Sequence, residues 1–255
     1  MEAIERTGDL PVIRMESIVR RGRNPGEGYA RGWGLEFGDV RERLYADPVY
    51  LRSCDVSGGR TLLAEHRQMN LYLLIKHFLG RLGGGNVLEL GTYTGGSALF
   101  MASAMQTFLP AAWIVGVDTF TGIPYSDRSV DAHSAGDFAG VDLDELIAYK
   151  TAAGLDNLDF IKGRFEDVLP QVLDAVAPLA LVHIDCDVRD GVAFAYEAVR
   201  ERMVPGGYIV FDDATIASCI GATEAIEELV VRRDGRHSEQ VYPHYVFRVG
   251  LEDDV

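Results

Sequence analysis

Cysteine is scarce in this chain: Cys54, Cys186 and Cys219 are the only three among 255 residues. They are too few and too scattered for a disulfide framework or a zinc knuckle, and they fit a reducing, cytoplasmic setting. Positive charge is also scarce. Lys and Arg number 24 against 39 Asp and Glu, a net charge of −15. Such a chain repels a phosphate backbone and an anionic lipid surface, which argues against nucleic-acid and membrane partners. No run reaches the roughly 20 apolar residues of a membrane span. The opening, MEAIERTGDL, lacks the apolar core of a secretory signal. A GxSxG elbow, a GxxxxGK[ST] phosphate loop and a GxGxxG fingerprint are all missing. Hydrophobic residues at 47% and charged residues at 25% describe a globular chain sized for one large domain or two small ones.

What is present is alternation, with no internal repeat. Residues 1–60 hold Arg-rich and Gly-rich pieces around Trp33, Phe37 and Tyr45. They are expected to form an N-terminal extension or lid with short helices, packed on a main domain over 61–255. Leu63, Met69, Leu71, Leu74, Phe78 and Leu82 recur at helical spacing and predict a helix over 61–82, ended by three glycines. Short apolar strands are predicted at 86–90, 113–117, 158–162, 179–184 and 208–211. Helices at 97–108, 143–153, 166–175 and 192–203 separate them, and another follows at 220–231. The tail predicts two strands, 238–242 and 245–249, joined at Pro243-His244. This is an α/β pattern: a mostly parallel sheet with helices on both faces and an antiparallel C-terminal edge strand. Ligands of such sheets bind beyond the carboxyl ends of the strands, near the reversal of strand order.

Chemistry is therefore sought at the strand ends. The first reads Glu89-Leu90-Gly91-Thr92-Tyr93-Thr94-Gly95-Gly96-Ser97. Its glycines allow a tight turn and close approach of a ligand, and Ser97 opens a helix with free N–H groups. A nucleotide-type ligand and a plain strand-to-helix turn both fit. Asp118 ends the second strand, where an acid can hold ribose hydroxyls or merely cap a loop. Gly163-Arg164-Phe165, after the third strand, can flank an adenine ring or serve only as a turn. Asp185 and Asp187 end the fourth strand, and Asp212 and Asp213 end the fifth. Converging carboxylates repel unless a cation intervenes, and oxygen ligands suit Mg2+. The bland reading is helix caps and solvated acids. Zinc fits poorly, because His183 and Cys186 are oddly spaced within a strand and point to opposite faces. His183 reads as a packed strand histidine and Cys219 as a buried thiol. The polar segment 119–141, with His133 in it, predicts a functional lid or a mobile surface loop.

These pieces together resemble the macrocin O-methyltransferase family, and within it the calicheamicin-type sugar methyltransferases. The matching stretches are ELGTYTGGS (89–97), DTFTGIP (118–124), FIKGRFEDVLP (160–170), HIDCD (183–187) and PGGYIVFDDATIASCIGATEAIEE (205–228). The resemblance implies a Rossmann-like class I methyltransferase sheet, S-adenosylmethionine and Mg2+ as cofactors, and a glycoside of antibiotic biosynthesis as acceptor. It also implies a homo-oligomer. By position, Glu89, Gly91 and Ser97, with Thr92 and Tyr93 between them, would line the methionine half of the cofactor. Asp118 would hold the ribose, and Asp185, Asp212 and Asp213 the metal. Asp185 is also a candidate base for the sugar hydroxyl, with His133 from the lid as the other. The chain departs from the family pattern at Arg189, Gly191-Val192 and Ala214, beside the acceptor side. A catechol-type phenolic methyltransferase and an NAD-dependent oxidoreductase are the alternatives on the same sheet.

Overall fold

The structure is a computed structural model that describes residues 40–249. The extension pieces around Trp33 and Phe37 lie outside the described residues. The described chain begins with α1 (Val40–Tyr45), α2 (Pro48–Ser57) and α3 (Glu65–His77), followed by a single turn at Leu79–Arg81. Alternation then sets in as expected: β1 (Asn86–Leu90), α4 (Gly96–Phe108), β2 (Ile114–Asp118), α5 (Leu143–Ala152), β3 (Leu158–Lys162) and α6 (Phe165–Val176). The second half runs β4 (Leu179–Ile184), α7 (Arg189–Val199), β5 (Met203–Phe211), α8 (Ile220–Ala225), a wider helical stretch over Ile226–Arg233, and β6 (Tyr245–Val249).

The six strands lie in the order β3-β2-β1-β4-β5-β6. The first five are parallel, and β6 runs antiparallel against β5. Order reverses between β1 and β4, so a crevice opens where their carboxyl ends part. Strand residues alternate between two cores. Val87, Leu181 and Val210 face α2, α3 and α4. Leu88, Val182 and Ile209 face α6, α7 and α8. The helices match these faces: α6 buries Leu169, Val172, Leu173 and Val176, spaced as one apolar stripe.

Several expectations change. The helix predicted over 61–82 is shorter, Glu65–His77, and a separate turn precedes the glycines. The fifth strand begins at Met203 rather than at Tyr208, because Leu179 pairs with Met203 across a bulge. The predicted hairpin is half right. Tyr245–Val249 is a strand, but 238–242 contributes only an isolated bridge between Gln240 and Val246. Polar side chains of that arm turn inward instead, Gln240 donating to Asn70 at 3.0 Å. Among the described residues, no helix is long and apolar enough to cross a membrane.

Candidate active site

The last rungs of the sheet bring the strand ends together. Gly91 N–H donates to Val117, Asp185 N–H to Leu90 at 2.9 Å, and Asp212 N–H to Ile184 at 3.0 Å. Each residue that follows a strand therefore sits beside its neighbour's. A cavity of about 390 Å³ opens over this rim. Its wall includes Gly91, Thr92, Tyr93, Ser97, Asp118, Arg164, Phe165, His133, Asp185, Asp212 and Asp213. Sequence reasoning named all eleven. Two other candidates lie off the wall. Glu89 is buried behind the glycine loop, its carboxylate taken by the Thr92 hydroxyl and by His183 Nδ1 at 3.0 Å. Gly163 closes a sheet rung to Asp118 at 2.9 Å, and a side chain there would strike Val168.

Asp118 is held from both sides. Tyr93 N–H donates to one carboxylate oxygen at 2.8 Å and Phe120 N–H to the other at 2.7 Å. Burial raises its pKa in spite of these donors. The two oxygens keep lone pairs for further donors, which fits a ribose diol. Tyr93, Phe120, Phe138 and Asp187 all have left-handed backbones, with φ between 47° and 63°. Non-glycine residues in this region carry strain that a surrounding structure must hold, and such strain clusters at ligand sites. Tyr93, Tyr125 and Phe138 face the cavity. Phe120 packs edge-on against Phe160 in the core instead.

The carboxylates converge further on. One ligand oxygen each from Asp185, Asp212 and Asp213 lies within 4.8 Å of the others. Among the described residues no hydrogen bond reaches the Asp185 carboxylate. Burial and then Asp212, Asp213, Asp187 and Glu89 push its pKa well up. Burial, Asp187 and Asp212 push Asp213 up to about 8, although the Cys186 and Asp187 N–H groups donate to it at 3.1 and 2.7 Å. Asp212 differs. Burial would raise it, but Arg67, His183 and His244 outweigh burial and hold it well below the usual range. An all-oxygen set whose members repel one another, with Asp185 lacking any donor, is the donor chemistry of a hard divalent cation.

Arg67 and His244 were not foreseen. Arg67 Nη1 binds the Asp212 carboxylate and, at 2.6 Å, its carbonyl oxygen. His244 Nε2 donates to Asp212 Oδ1 at 2.8 Å, while its Nδ1 takes Asn70 Nδ2 at 2.9 Å. Burial drives the His244 pKa to about 4, so it serves as a neutral donor. Arg67 had a sequence signal: it sits on the apolar stripe between Leu63 and Leu71, where a charge needs a buried partner. His244 had none. His183 is a packed strand histidine, as expected, and is fully buried between Glu89 and Asp212.

The segment 119–141 is folded down as a flap. Val130, Asp131, Ala132 and His133 are buried. His133 presents Nε2 to Asp187 Oδ1 at 3.5 Å and Nδ1 to Asp137 at 3.8 Å. Burial pulls its pKa below the ordinary value despite Asp213 and Asp137, so the ring is neutral at pH 7. Arg189 turns away from the cavity to Glu228 at 2.6 Å, and its N–H binds Asp131 at 2.9 Å.

A doubly wound sheet with an antiparallel edge, an acid at the second strand end and a ligand cavity at the reversal of strand order are the frame of a nucleoside-binding α/β domain. Residues 88–214 match the family described as a methyltransferase domain. The chain is 29% identical over 184 residues to a tetracenomycin-C rhamnosyl 4'-O-methyltransferase of Streptomyces olivaceus, covering 68% of this chain and 70% of that one. It is 27% identical over 189 residues to the mycinamicin III 3''-O-methyltransferase of Micromonospora griseorubida, covering 67% and 70%. Its fold is that of the O-methyltransferase NovP, with a TM-score of 0.64 at 19% identity over 82% of this chain and 94% of that one. A calicheamicin methyltransferase superposes with a TM-score of 0.59 at 18% identity over 91% and 99%. The chain is thus an S-adenosylmethionine-dependent O-methyltransferase, and the expected kinship with antibiotic sugar methyltransferases is borne out. The oxidoreductase alternative falls with the family match.

Proposed function

We propose that the chain methylates a sugar hydroxyl of a glycosylated secondary metabolite, with a divalent ion held by Asp185, Asp212 and Asp213. The observation that supports this is the meeting of three ligand oxygens within 4.8 Å beside the cofactor wall. The relative whose name carries a rhamnosyl acceptor supports the glycoside. Asp118 takes the ribose hydroxyls, the Gly91–Ser97 loop lies along the methionine half, and Arg164-Phe165 flank the adenine. When bound, the cation lowers the pKa of a sugar hydroxyl and orients its neighbouring oxygen.

The chain's own residues do the rest. The cavity would bring an acceptor hydroxyl close to the donor methyl, and such positioning alone lowers a barrier by several kcal/mol, about 7–11 at best. His133 Nε2 accepts the hydroxyl proton, since the ring is neutral and its Nδ1 faces Asp137, which favours the Nδ1–H tautomer. Asp185, the other candidate base, would serve as a metal ligand in this reading. Arg67 and His244 keep Asp212 ionised and oriented, as outer partners of metal ligands do.

The test is a pair of titrations. Asp213→Asn should abolish methyl transfer to a glycoside acceptor while leaving the affinity for S-adenosylhomocysteine within about threefold, and EDTA should do the same to the wild type. Full turnover in EDTA would overturn the metal assignment. Methylation of free catechols in preference to glycosides would replace the sugar acceptor with a phenolic one.

A further inference from the structure

A second group of ligand atoms lies beside the carboxylate triad, built from three separate parts of the chain. His133 comes from the flap, Asp187 from the turn after β4, and Cys219 from the residue before α8. One atom from each lies within 4.8 Å of the others. His133 Nε2 is 3.5 Å from Asp187 Oδ1, and Cys219 Sγ is 3.7 Å from the same oxygen. A tetrahedral ion with bonds of about 2.0–2.1 Å to nitrogen and oxygen and about 2.3 Å to sulfur spaces its ligand atoms about 3.3 Å (N to O) and about 3.6 Å (S to O) apart. Two of the three pairs therefore stand close to ligand-to-ligand spacing already and the third lies within 4.8 Å; the Cys219 contact is a thiol hydrogen bond, whereas a histidine–carboxylate contact of 3.5 Å is too long for a good one. His133 and Cys219 are buried to 3% and 1% exposure, so neither is a solvated surface group.

The donor sets of the two groups differ. The triad offers oxygen alone, which selects hard ions. The second group offers nitrogen, sulfur and oxygen, which selects zinc, cobalt and similar ions. We propose that His133, Asp187 and Cys219 form a thiophilic divalent-metal site, for which zinc is the fitting ion, separate from the magnesium site. His133, Asp187 and Ser218 line the cavity, so the fourth position of the ion opens there. On binding, the Cys219 thiol loses its proton to solvent and the sulfur bonds the metal. The neutral imidazole binds through Nε2, the carboxylate through Oδ1, and nothing is oxidised or reduced. Spacing in sequence gives no hint of this site, since its three ligands are brought together only by the fold of the flap over β4 and α8.

Such an ion would tie the flap to the sheet and occupy His133 Nε2. Zinc would then inhibit methyl transfer, a consequence that rests on the reading of His133 as the proton acceptor. The existence of the site does not.

The experiment is a titration of the full chain with Co2+ in excess Mg2+, read by absorption. The expected result is one cobalt per chain with a thiolate-to-cobalt charge-transfer band in the near ultraviolet, bleached when zinc displaces it. Cys54→Ser should keep the band. Cys219→Ser should lose it, retain S-adenosylhomocysteine binding and turnover, and require at least tenfold more zinc for half inhibition. Cys219→Ala serves where the serine variant fails to fold. A wild type without the band, or a Cys219 variant that retains it, overturns the proposal. If a His133→Gln variant turned over normally, the base assignment would fall, yet the band in the Cys219-intact wild type would stand.

Discussion

Arg67, on the helix before the first strand, clasps Asp212 at the end of the fifth, binding both its carboxylate and, at 2.6 Å, its carbonyl oxygen. The two side chains are 4% and 5% exposed. Without this guanidinium, Asp212 would keep only His183 and His244 to offset its burial beside Asp185, Asp187 and Asp213. Breaking a buried pair from one side leaves an uncompensated charge, which costs about 3–5 kcal/mol. Arg67→Met should lower the urea midpoint accordingly, and Arg67→Lys should lose less because it keeps the charge but not the two-pronged donor. An Arg67→Met protein that unfolds at the wild-type midpoint would show that the pair contributes nothing net.

If the triad holds a cation as proposed, it trades stability for ion binding. Asp185 is repelled by its neighbours and has no donor among the described residues, so removing its charge should help the metal-free fold. Asp185→Asn is expected to melt higher than the wild type in EDTA, by the roughly 2–4 °C that about 1 kcal/mol gives in a chain of this size. In the wild type, Mg2+ at one hundred times its dissociation constant should add about 2.7 kcal/mol. The Asn variant should gain far less. Differential scanning calorimetry with and without Mg2+ reads both effects, and an Asn variant that melts lower in EDTA would contradict the repulsion argument.

Asp47 links pH to the N-terminal helices. It caps α2 through Val49 N–H at 2.9 Å and also binds Tyr72 at 2.7 Å and Lys76 at 2.5 Å. Burial would raise its pKa, but these three donors outweigh it and lower the value. The folded pKa thus lies below the unfolded value near 3.9. Its stabilisation is complete above that value and is lost as pH falls through the folded one. Asp47→Asn should be less stable than the wild type at pH 7, by roughly 1–2 kcal/mol for the cap and the charged hydrogen bonds. The two should converge toward pH 2. A gap that persists unchanged in acid would mean that the carboxylate's charge is not what matters.

Much of this was legible in the sequence because it depends on local pattern. Apolar strands such as LALVHI, fully buried from Leu179 to Ile184, declare a parallel sheet without help from their neighbours. The acids that follow each strand then fall on one rim by the geometry of parallel rungs. The hidden part is the part made by distant contacts. His244 follows a proline turn with no periodic signal, and only the pairing of β6 with β5 delivers it to Asp212. Arm residues 238–242 alternate like a strand, yet Gln240 is drawn to Asn70 on α3. The family resemblance implies that Glu89 lines the methionine half of the cofactor site. Its strand parity sends it instead toward His183 on β4, where it braces Thr92 from behind.

Gly91 is the residue on which the meeting of β1 and β4 depends. Its φ is +93°, and a Cβ there would lie 1.7 Å from the carbonyl oxygen of Asp185 and 2.6 Å from its carbonyl carbon. Both are backbone atoms, so no rotamer change relieves the clash, and the chain carrying Asp185 must move. Gly136 in the flap is a useful control, since its φ is +90° but nothing lies within 4 Å of its Cβ position. Gly136→Ala should therefore carry only the conformational penalty, about 1–2 kcal/mol, with unchanged affinity for S-adenosylhomocysteine. Gly91→Ala adds displacement of Asp185, the proposed metal ligand, and of the glycine loop. It should weaken S-adenosylhomocysteine at least tenfold in calorimetric titration and abolish the Mg2+-induced rise in melting temperature. Were the two alanine variants to behave alike, the close crossing of the glycine loop over Asp185 would not be what holds the cavity open to both ligands.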